Sequence, residues 1–260
     1  MIRNGSYEII AHRGYSARAP ENTLAAMEAA IGAGADAVEW DVHVASCGTP
    51  VLFHDTHLGR TTNGVGPLRR RTLSQLQTLD AGTWFGPVFA GERIPSLAEA
   101  LERVRGRVGR VYCEIKGYRE LEDLDRVLSV TRSLGMMEST VFISLEWNTV
   151  DRIAGQDPAA RVGYVVDRAE RFPEALGRAI ARPGAILDLD FRMVLEDPFL
   201  AARSRARGVE VAVWTVNQPE AASALADVGV ARYTTDEVEA LLAWRAALAA
   251  GPPQERQLPL

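Results

Sequence analysis

The 260-residue chain is 47% hydrophobic and 24% charged, and it carries a net charge of −5 at pH 7. These totals suit a globular protein with a large buried core and argue against a nucleic-acid partner, with Arg69-Arg70-Arg71 read as a solvated loop. Cys47 and Cys113 are too few for a disulfide framework, no signal pattern opens the chain and no run is apolar enough to span a bilayer, so the expectation is a cytoplasmic protein with free thiols and no stable membrane anchor.

Residues 7–11 read as a first strand that stops at His12-Arg13-Gly14, where glycine permits a sharp exit. Asn22 or Thr23 is placed to cap a helix carrying Leu24, Met27 and Ile31 at helical spacing, which Gly32 and Gly34 end. A strand over 36–42 follows at once, and this strand–helix–strand order predicts a right-handed parallel βαβ unit. Val51-Leu52-Phe53 is a second short apolar run, ending at His54-Asp55. Residues 59–94 break the rhythm and read as an insertion, with Trp84 to Phe89 as its buried packing. Thr72 with Gln75, and then Ser96 with Glu99, match the capping box.

Regular alternation then resumes. Strands are predicted at 110–115, 141–143, 162–166, 185–189, 210–214 and 232–234. Helices are predicted around Leu121 to Leu134, over 147–153, around Leu195 to Arg207, after Asn217 and Glu220 as a capping pair, and after Asp236; a tail over 251–260 reads as frayed. Nine candidate strands compete for the eight places of a closed (β/α)8 barrel, and either 51–53 or 185–189 is the odd one out. An open doubly wound sheet is the alternative, but it usually carries a Gly-rich phosphate loop after its first strand, which His-Arg-Gly is not. The expected fold is α/β, a TIM-type barrel forming one catalytic domain over 1–250, with a small insertion after the third strand.

Polar residues collect at or just past the ends of the apolar strand runs, where such barrels keep their catalytic groups. Glu39 and Asp41 stand two apart on a strand and so share a face. With Glu114 they offer three hard oxygen ligands suited to Mg²⁺ or Ca²⁺, although Glu39-x-Asp41 alone would read as a salt-bridging pair. His12 and His54 end separate strands and can give or take a proton near neutral pH, whereas His43 and His57 read as structural. Arg13 and Lys116 add fixed positive charge, Arg13 in a planar fork matched to phosphate oxygens. Together these groups describe phosphate-ester chemistry. Trp214 is balanced between core packing and lining a pocket, and Cys113, beside Glu114, turns by alternation toward the helices as a buried thiol. No Gly-x-Ser-x-Gly elbow, Walker loop or His-Glu-x-x-His helix offers a competing chemistry.

The chain resembles the glycerophosphodiester phosphodiesterase family over about residues 8–240. The matching pieces are Ala11-His12-Arg13-Gly14, Pro20-Glu21-Asn22-Thr23, Glu39-Trp40-Asp41-Val42, residues 50–55, residues 58–64, Ile94-Pro95-Ser96-Leu97, Glu114-Ile115-Lys116 and residues 213–217. The resemblance implies a TIM-type barrel and hydrolysis of a small-molecule glycerophosphodiester to glycerol 3-phosphate and an alcohol. By position it implies His12 and His54 as general acid and base, and Glu39, Asp41 and Glu114 as ligands of a divalent cation. It also implies Arg13 and Lys116 as phosphate contacts, with Trp214 beside the substrate. The attacking group is water, or the glycerol's own hydroxyl through a cyclic phosphate.

Two places depart from the family pattern. Ser144-Leu145 stands where a serine pair and phenylalanine are common, and residues 231–237 replace the usual Asp-Gly-Ile-Ile-Thr-Asp-x-Pro ending. Neither is expected to touch the catalytic set, while Tyr233 and Leu145 are placed to alter the pocket's rim. The competing functions are a lysophospholipase D or sphingomyelinase D-like barrel acting on membrane lipids, and a degenerate barrel that only binds. The last is disfavoured because all seven polar positions are present.

Overall fold

In the computed structural model, which describes residues 7–250, the chain runs β1 (Glu8–Ala11), α1 (Leu24–Ala33), β2 (Ala37–Val44), β3 (Pro50–Leu52), α2 (Leu73–Leu76), α3 (Leu97–Val104), β4 (Arg110–Ile115), α4 (Glu122–Ser133) and β5 (Thr140–Ser144). It continues through α5 (Trp147–Gln156), β6 (Arg161–Val166), α6 (Phe172–Ile180), β7 (Ile186–Asp190), α7 (Phe191–Glu196), α8 (Phe199–Ala206), β8 (Glu210–Trp214), α9 (Pro219–Asp227), β9 (Arg232–Thr235) and α10 (Val238–Ala250). Eight strands are parallel, in the order β1-β9-β8-β7-β6-β5-β4-β2, and pairing of β1 with β2 closes them into a barrel. The ninth, β3, is antiparallel to β2 through Val42↔Leu52 and His43↔Val51, so the 51–53 run, not 185–189, is the strand outside the barrel. The expected frayed tail lies outside the described residues.

Alternation along each strand sorts the core into two parts. Ile10, Ala37, Tyr112, Ile143, Ile186 and Ala212 point inward and fill the barrel. Ile9, Val38, Trp40, Phe142, Leu187 and Val213 point outward beneath the helices. Cys113 is among the outward set, as alternation requires, and burial pushes its thiol up to about 12. The same alternation on a strand that continues past the packed interior brings polar side chains to the barrel's mouth. Both expected capping boxes form, Thr72 with Gln75 at α2 and Ser96 with Glu99 at α3.

Four local expectations differ from the structure. The helix expected around Leu195 to Arg207 is two, α7 and α8, because Pro198 lacks an amide hydrogen and keeps Asp197 out of the helical region, at φ −130° and ψ 88°. α6 was not expected, although Phe172, Leu176 and Ala179 recur on one buried face. Asn217 does not cap α9; Gln218 holds the N-cap position without a side-chain bond, and Asn217 turns to β9 instead. The Trp84 to Phe89 stretch is not buried packing. Trp84 is 43% and Val88 84% exposed, and the aromatic rings meet edge to face around a 3₁₀ turn too short to enclose them. The core beneath this segment is made by Leu58, Leu68, Leu76, Ala81 and Ile94.

Candidate active site

The end of β1 makes an abrupt turn. Arg13 adopts φ 54° and Gly14 φ 79°. A Cβ on Gly14 would stand 2.7 Å from the backbone of Ala26, so helix α1 can pack this closely only on glycine. The turn directs the Arg13 amide at Glu39 Oε2 (2.9 Å). Its guanidinium reaches Glu21 Oε1 (2.8 Å) and Asp41 Oδ2 (3.2 Å). Asn22 is the second non-glycine residue in the left-handed region, with φ 58°. That conformation lets it grip Asp41 twice, donating to Oδ2 at 2.8 Å and accepting from the Asp41 amide at 3.1 Å. Two strained residues flanking one pair of carboxylates mark a site whose geometry is held at a cost in backbone energy. Asn22→Ala is expected to lower stability by about 1–3 kcal/mol, because Asp41 loses two bonds while buried. Thermal unfolding measures this, and an unchanged Tm would show that Asn22 does not hold Asp41.

Glu39 and Asp41 emerge on the inner face of β2 and are both buried; Glu114 joins them from β4. One oxygen from each of the three lies within 4.8 Å of the others. Lys116 donates to Glu114 Oε1 at 3.1 Å and stands 3.8 Å from Asp41 Oδ1. The negative charge is still not fully answered. Burial, reinforced by the charges of Asp41 and Glu114, pushes the Glu39 carboxyl well above the usual carboxylate range, and its Oε1 has no hydrogen-bond partner. Burial and Asp41 likewise raise Glu114. Burial acts on Asp41 in the same direction, but Arg13, Lys116 and His54 outweigh it and hold that carboxyl low. Three hard oxygen donors with a surplus of buried negative charge and an orphaned oxygen fit a divalent cation.

The two predicted acid/base histidines flank this cluster. His12 Nε2 is 4.0 Å from Glu39 Oε2, and its Nδ1 is 2.7 Å from Asp236 Oδ1. His54 Nδ1 is 2.6 Å from Asp55 Oδ1, and burial lowers the imidazole below its ordinary value. Each imidazole thus has one nitrogen fixed by a carboxylate, which sets its tautomer and leaves Nε2 for chemistry. Asp55 is in turn gripped by Arg60, Nε to Oδ2 at 2.7 Å, and these bonds hold its carboxyl far below the usual range. Arg60 also donates twice to Glu21 at 2.7 Å. His43, read as structural, presents Nε2 3.0 Å from the His54 carbonyl and so braces that histidine from behind. His57 is exposed and pairs locally with Thr56. Trp214 packs against the barrel interior and donates Nε1 to the Asp188 carbonyl at 3.1 Å.

All eight predicted site residues therefore gather at one end of the barrel. Sequence reasoning assigned no role to Asp55, Asp236 or Arg60 and read Asn217 as a helix cap, and one expectation about the chain's end is overturned. The positions of 231–237 that depart from the usual ending stay clear of the clustered site residues; Asp236, which stands where that ending also has an aspartate, bonds His12, and Ser16 and Asn217 each donate to Asp236 at 2.8 Å. Tyr233, expected at the rim, is fully buried in the outer layer against Tyr7 and Trp244. Register explains both: successive residues of β9 alternate, so Tyr233 faces the helices while Thr234 and Asp236 face in. Asp55, adjacent to His54, was legible as a partner; Asp236, 224 residues from His12, was signalled only by its place after the last strand and by the Thr-Asp it shares with the usual family ending.

The model for the glycerophosphoryl diester phosphodiesterase family matches residues 12–240. The glycerophosphodiester phosphodiesterase of Caldanaerobacter subterraneus is 32% identical over 240 residues, covering 90% of this chain and 96% of that protein. Among solved structures, a phosphodiesterase from Oleispira antarctica in complex with the product sn-glycerol-3-phosphate is similar with a TM-score of 0.86 at 28% identity, over 92% of this chain and 97% of that one. A glycerophosphodiester phosphodiesterase from Agrobacterium tumefaciens has a TM-score of 0.80 at 30% identity, over 93% and 100%. The chain belongs to the glycerophosphoryl diester phosphodiesterase family and is a phosphoric diester hydrolase that cleaves glycerophosphodiesters.

Proposed function

We propose that Glu39, Asp41 and Glu114 hold the divalent cation of this hydrolase, Mg²⁺ or Ca²⁺, and that His12 and His54 are its acid/base pair. The convergence of three carboxylate oxygens within 4.8 Å, between two imidazoles each anchored through Nδ1, carries this reading. When bound, such a cation draws charge from the phosphoryl oxygens. Arg13 and Lys116 orient the phosphodiester and neutralise its remaining charge, Arg13 through the planar fork that Glu21 holds in place. One histidine removes the proton from the attacking hydroxyl and the other donates a proton to the oxygen of the leaving alcohol; where the attacker is the glycerol's own hydroxyl, the cyclic phosphate so formed is then opened by water. Asp55 and Asp236 keep both rings oriented, and the products are glycerol 3-phosphate and the free alcohol. Trp214, tethered to β7, forms one wall of the substrate site.

Free Cys47 and Cys113 accord with a reducing compartment, and we place the enzyme in the cytoplasm. No helix among the described residues is long and apolar enough to cross a membrane. The exposed Trp84 and Val88 favour one second reading, a substrate taken from a lipid surface. Release of glycerol 3-phosphate from glycerophosphocholine by the purified protein separates these readings. EDTA is expected to abolish release, and Mg²⁺ or Ca²⁺ to restore it. Release that persists after exhaustive chelation would remove the cation, and cleavage of lysophosphatidylcholine in preference to glycerophosphocholine would establish the lipid-surface reading.

A further inference from the structure

One titratable group inside the barrel is used by none of the chemistry above. Asp188 lies on β7, facing inward between Ile186 and the mouth, and is only 4% exposed. Its Oδ1 is buried without a hydrogen-bond partner. The register shows why: its neighbours across the sheet are Val165 on β6 and Ala212 on β8, two interior side chains that carry no donor. Its carbonyl, by contrast, is occupied, because it fixes the Trp214 indole. Among the described residues no cation answers the carboxyl either, and burial together with the like charge of Glu114 pushes it above the usual carboxylate range. Asp188 is also outside the set of oxygens that converge within 4.8 Å, so it is not a further ligand of that cluster.

A buried polar atom without a partner is costly, and a native structure that keeps one calls for a reason. Burial and the charge of Glu114 raise this carboxyl to about 8, so at neutral pH it mostly keeps its proton, and the missing partner is an uncharged group able both to donate and to accept, small enough to pass the ring of charged groups and reach the interior beside Trp214. A phosphate is excluded by its charge. A choline headgroup offers neither O–H nor N–H. The glycerol half of the substrate offers hydroxyls, and it is the half common to all glycerophosphodiesters, whereas the variable alcohol is best left toward the open mouth. We propose that Asp188 recognises a hydroxyl of the glycerol moiety, making it a specificity-determining residue that selects glycerol esters over other phosphodiesters. This rests on the cleavage of glycerophosphodiesters at the site described above, with Arg13 and Lys116 taking the phosphate. Asp188 then accepts the hydroxyl's hydrogen bond at Oδ1, and the Trp214 ring, held by the same residue's carbonyl, covers the carbon chain. One residue sets both the polar and the apolar side of the glycerol subsite.

Competitive inhibition by glycerol 3-phosphate and by propyl phosphate, which lacks both hydroxyls, tests this on the cation-loaded enzyme with glycerophosphocholine as substrate. The wild type is expected to bind glycerol 3-phosphate at least about tenfold more tightly, the scale of one buried hydrogen bond. In Asp188→Leu the advantage shrinks to within about twofold, chiefly through weaker glycerol 3-phosphate binding. Asp188→Asn, whose amide oxygen still accepts, keeps most of it. The Leu variant is also expected to melt higher than wild type without ligand, because it removes the orphaned oxygen. Equal weakening of both inhibitors would overturn the proposal in favour of an effect on the phosphate site. An unchanged ratio would overturn it in favour of an internal water as the partner. Should the Leu variant fail to fold, the wild-type ratio and Asp188→Asn still decide, since a wild type that does not distinguish the two inhibitors refutes hydroxyl recognition. Failure of the wild type to release glycerol 3-phosphate would instead refute the underlying function.

Discussion

His54→Ala is expected to lower kcat for glycerophosphodiester cleavage by about 10²–10⁴, the usual contribution of a positioned proton donor or acceptor. His12→Ala is expected to do the same. Neither imidazole is a keystone of the fold: His12 bonds Asp236 and His54 bonds Asp55 at the open end of the barrel, and neither belongs to the apolar clusters. The loss should therefore appear in kcat with little change in Tm. Because the two serve the same transition state as base and acid, their losses should be non-additive, and the double variant should lose less than the product of the two single losses. Near-wild-type turnover in either single variant would remove that residue from the acid/base pair. A collapse of Tm alongside kcat would mean that the ring is structural.

Glu39→Gln is expected to abolish activity and at the same time stabilise the metal-free protein. Burial and the neighbouring Asp41 and Glu114 raise the folded-state pKa of Glu39 above its value in the unfolded chain. A raised carboxyl pKa means that the folded state holds its proton more tightly. The resulting stabilisation is fully present below the unfolded value of about 4.3 and is lost as pH rises through the folded value. As pH rises the metal-free wild type therefore loses this contribution, whereas the amide has no proton to lose. The variant keeps an oxygen for the Arg13 amide, so the turn after β1 survives. Each kcal/mol recovered raises Tm by about 2–4 °C in a chain of this size. Differential scanning of EDTA-treated wild type and variant at pH 8 and pH 5 tests this. The gap in Tm should be larger at pH 8, and addition of Mg²⁺ or Ca²⁺ should raise the wild type's Tm more than the variant's. A variant less stable than wild type at both pH values would show that Arg13 and Lys116 already satisfy Glu39 without a cation.

The barrel was legible in the sequence because each strand is a short apolar run with a polar residue at its end, and several helices carry their own start or stop signal. The βαβ unit at the N-terminus is the clearest case, with Thr23 accepting from the Ala26 amide and Gly34 closing α1 at φ 85°. The eight site residues were legible for the same reason: they sit next to the runs that position them. What was not legible depends on contacts between distant parts of the chain. Asn217 has the local look of a helix cap, but the end of β9 offers it three bonds, and tertiary pairing wins. Asp236 and Arg60 stand in stretches that match the family pattern, but nothing local ties either to its partner far along the chain. Trp84 and Val88 failed in the opposite direction, since an apolar segment was assumed to find cover that a single 3₁₀ turn does not provide.

The clasp made by Arg60 bears on how such enzymes can be rebuilt. One guanidinium, carried by the segment that interrupts the strand–helix alternation, ties Glu21 on the first loop to Asp55 behind His54. The segment is thus no detachable ornament that can be exchanged between relatives to retune substrate range. A graft that brings in a foreign loop without an arginine at this point would leave two acidic side chains facing one another and free both His54 and Arg13 to drift. Transplantation should succeed only when Glu21, Asp55 and Arg60 travel together, as a unit of inheritance that spans three separate stretches of chain.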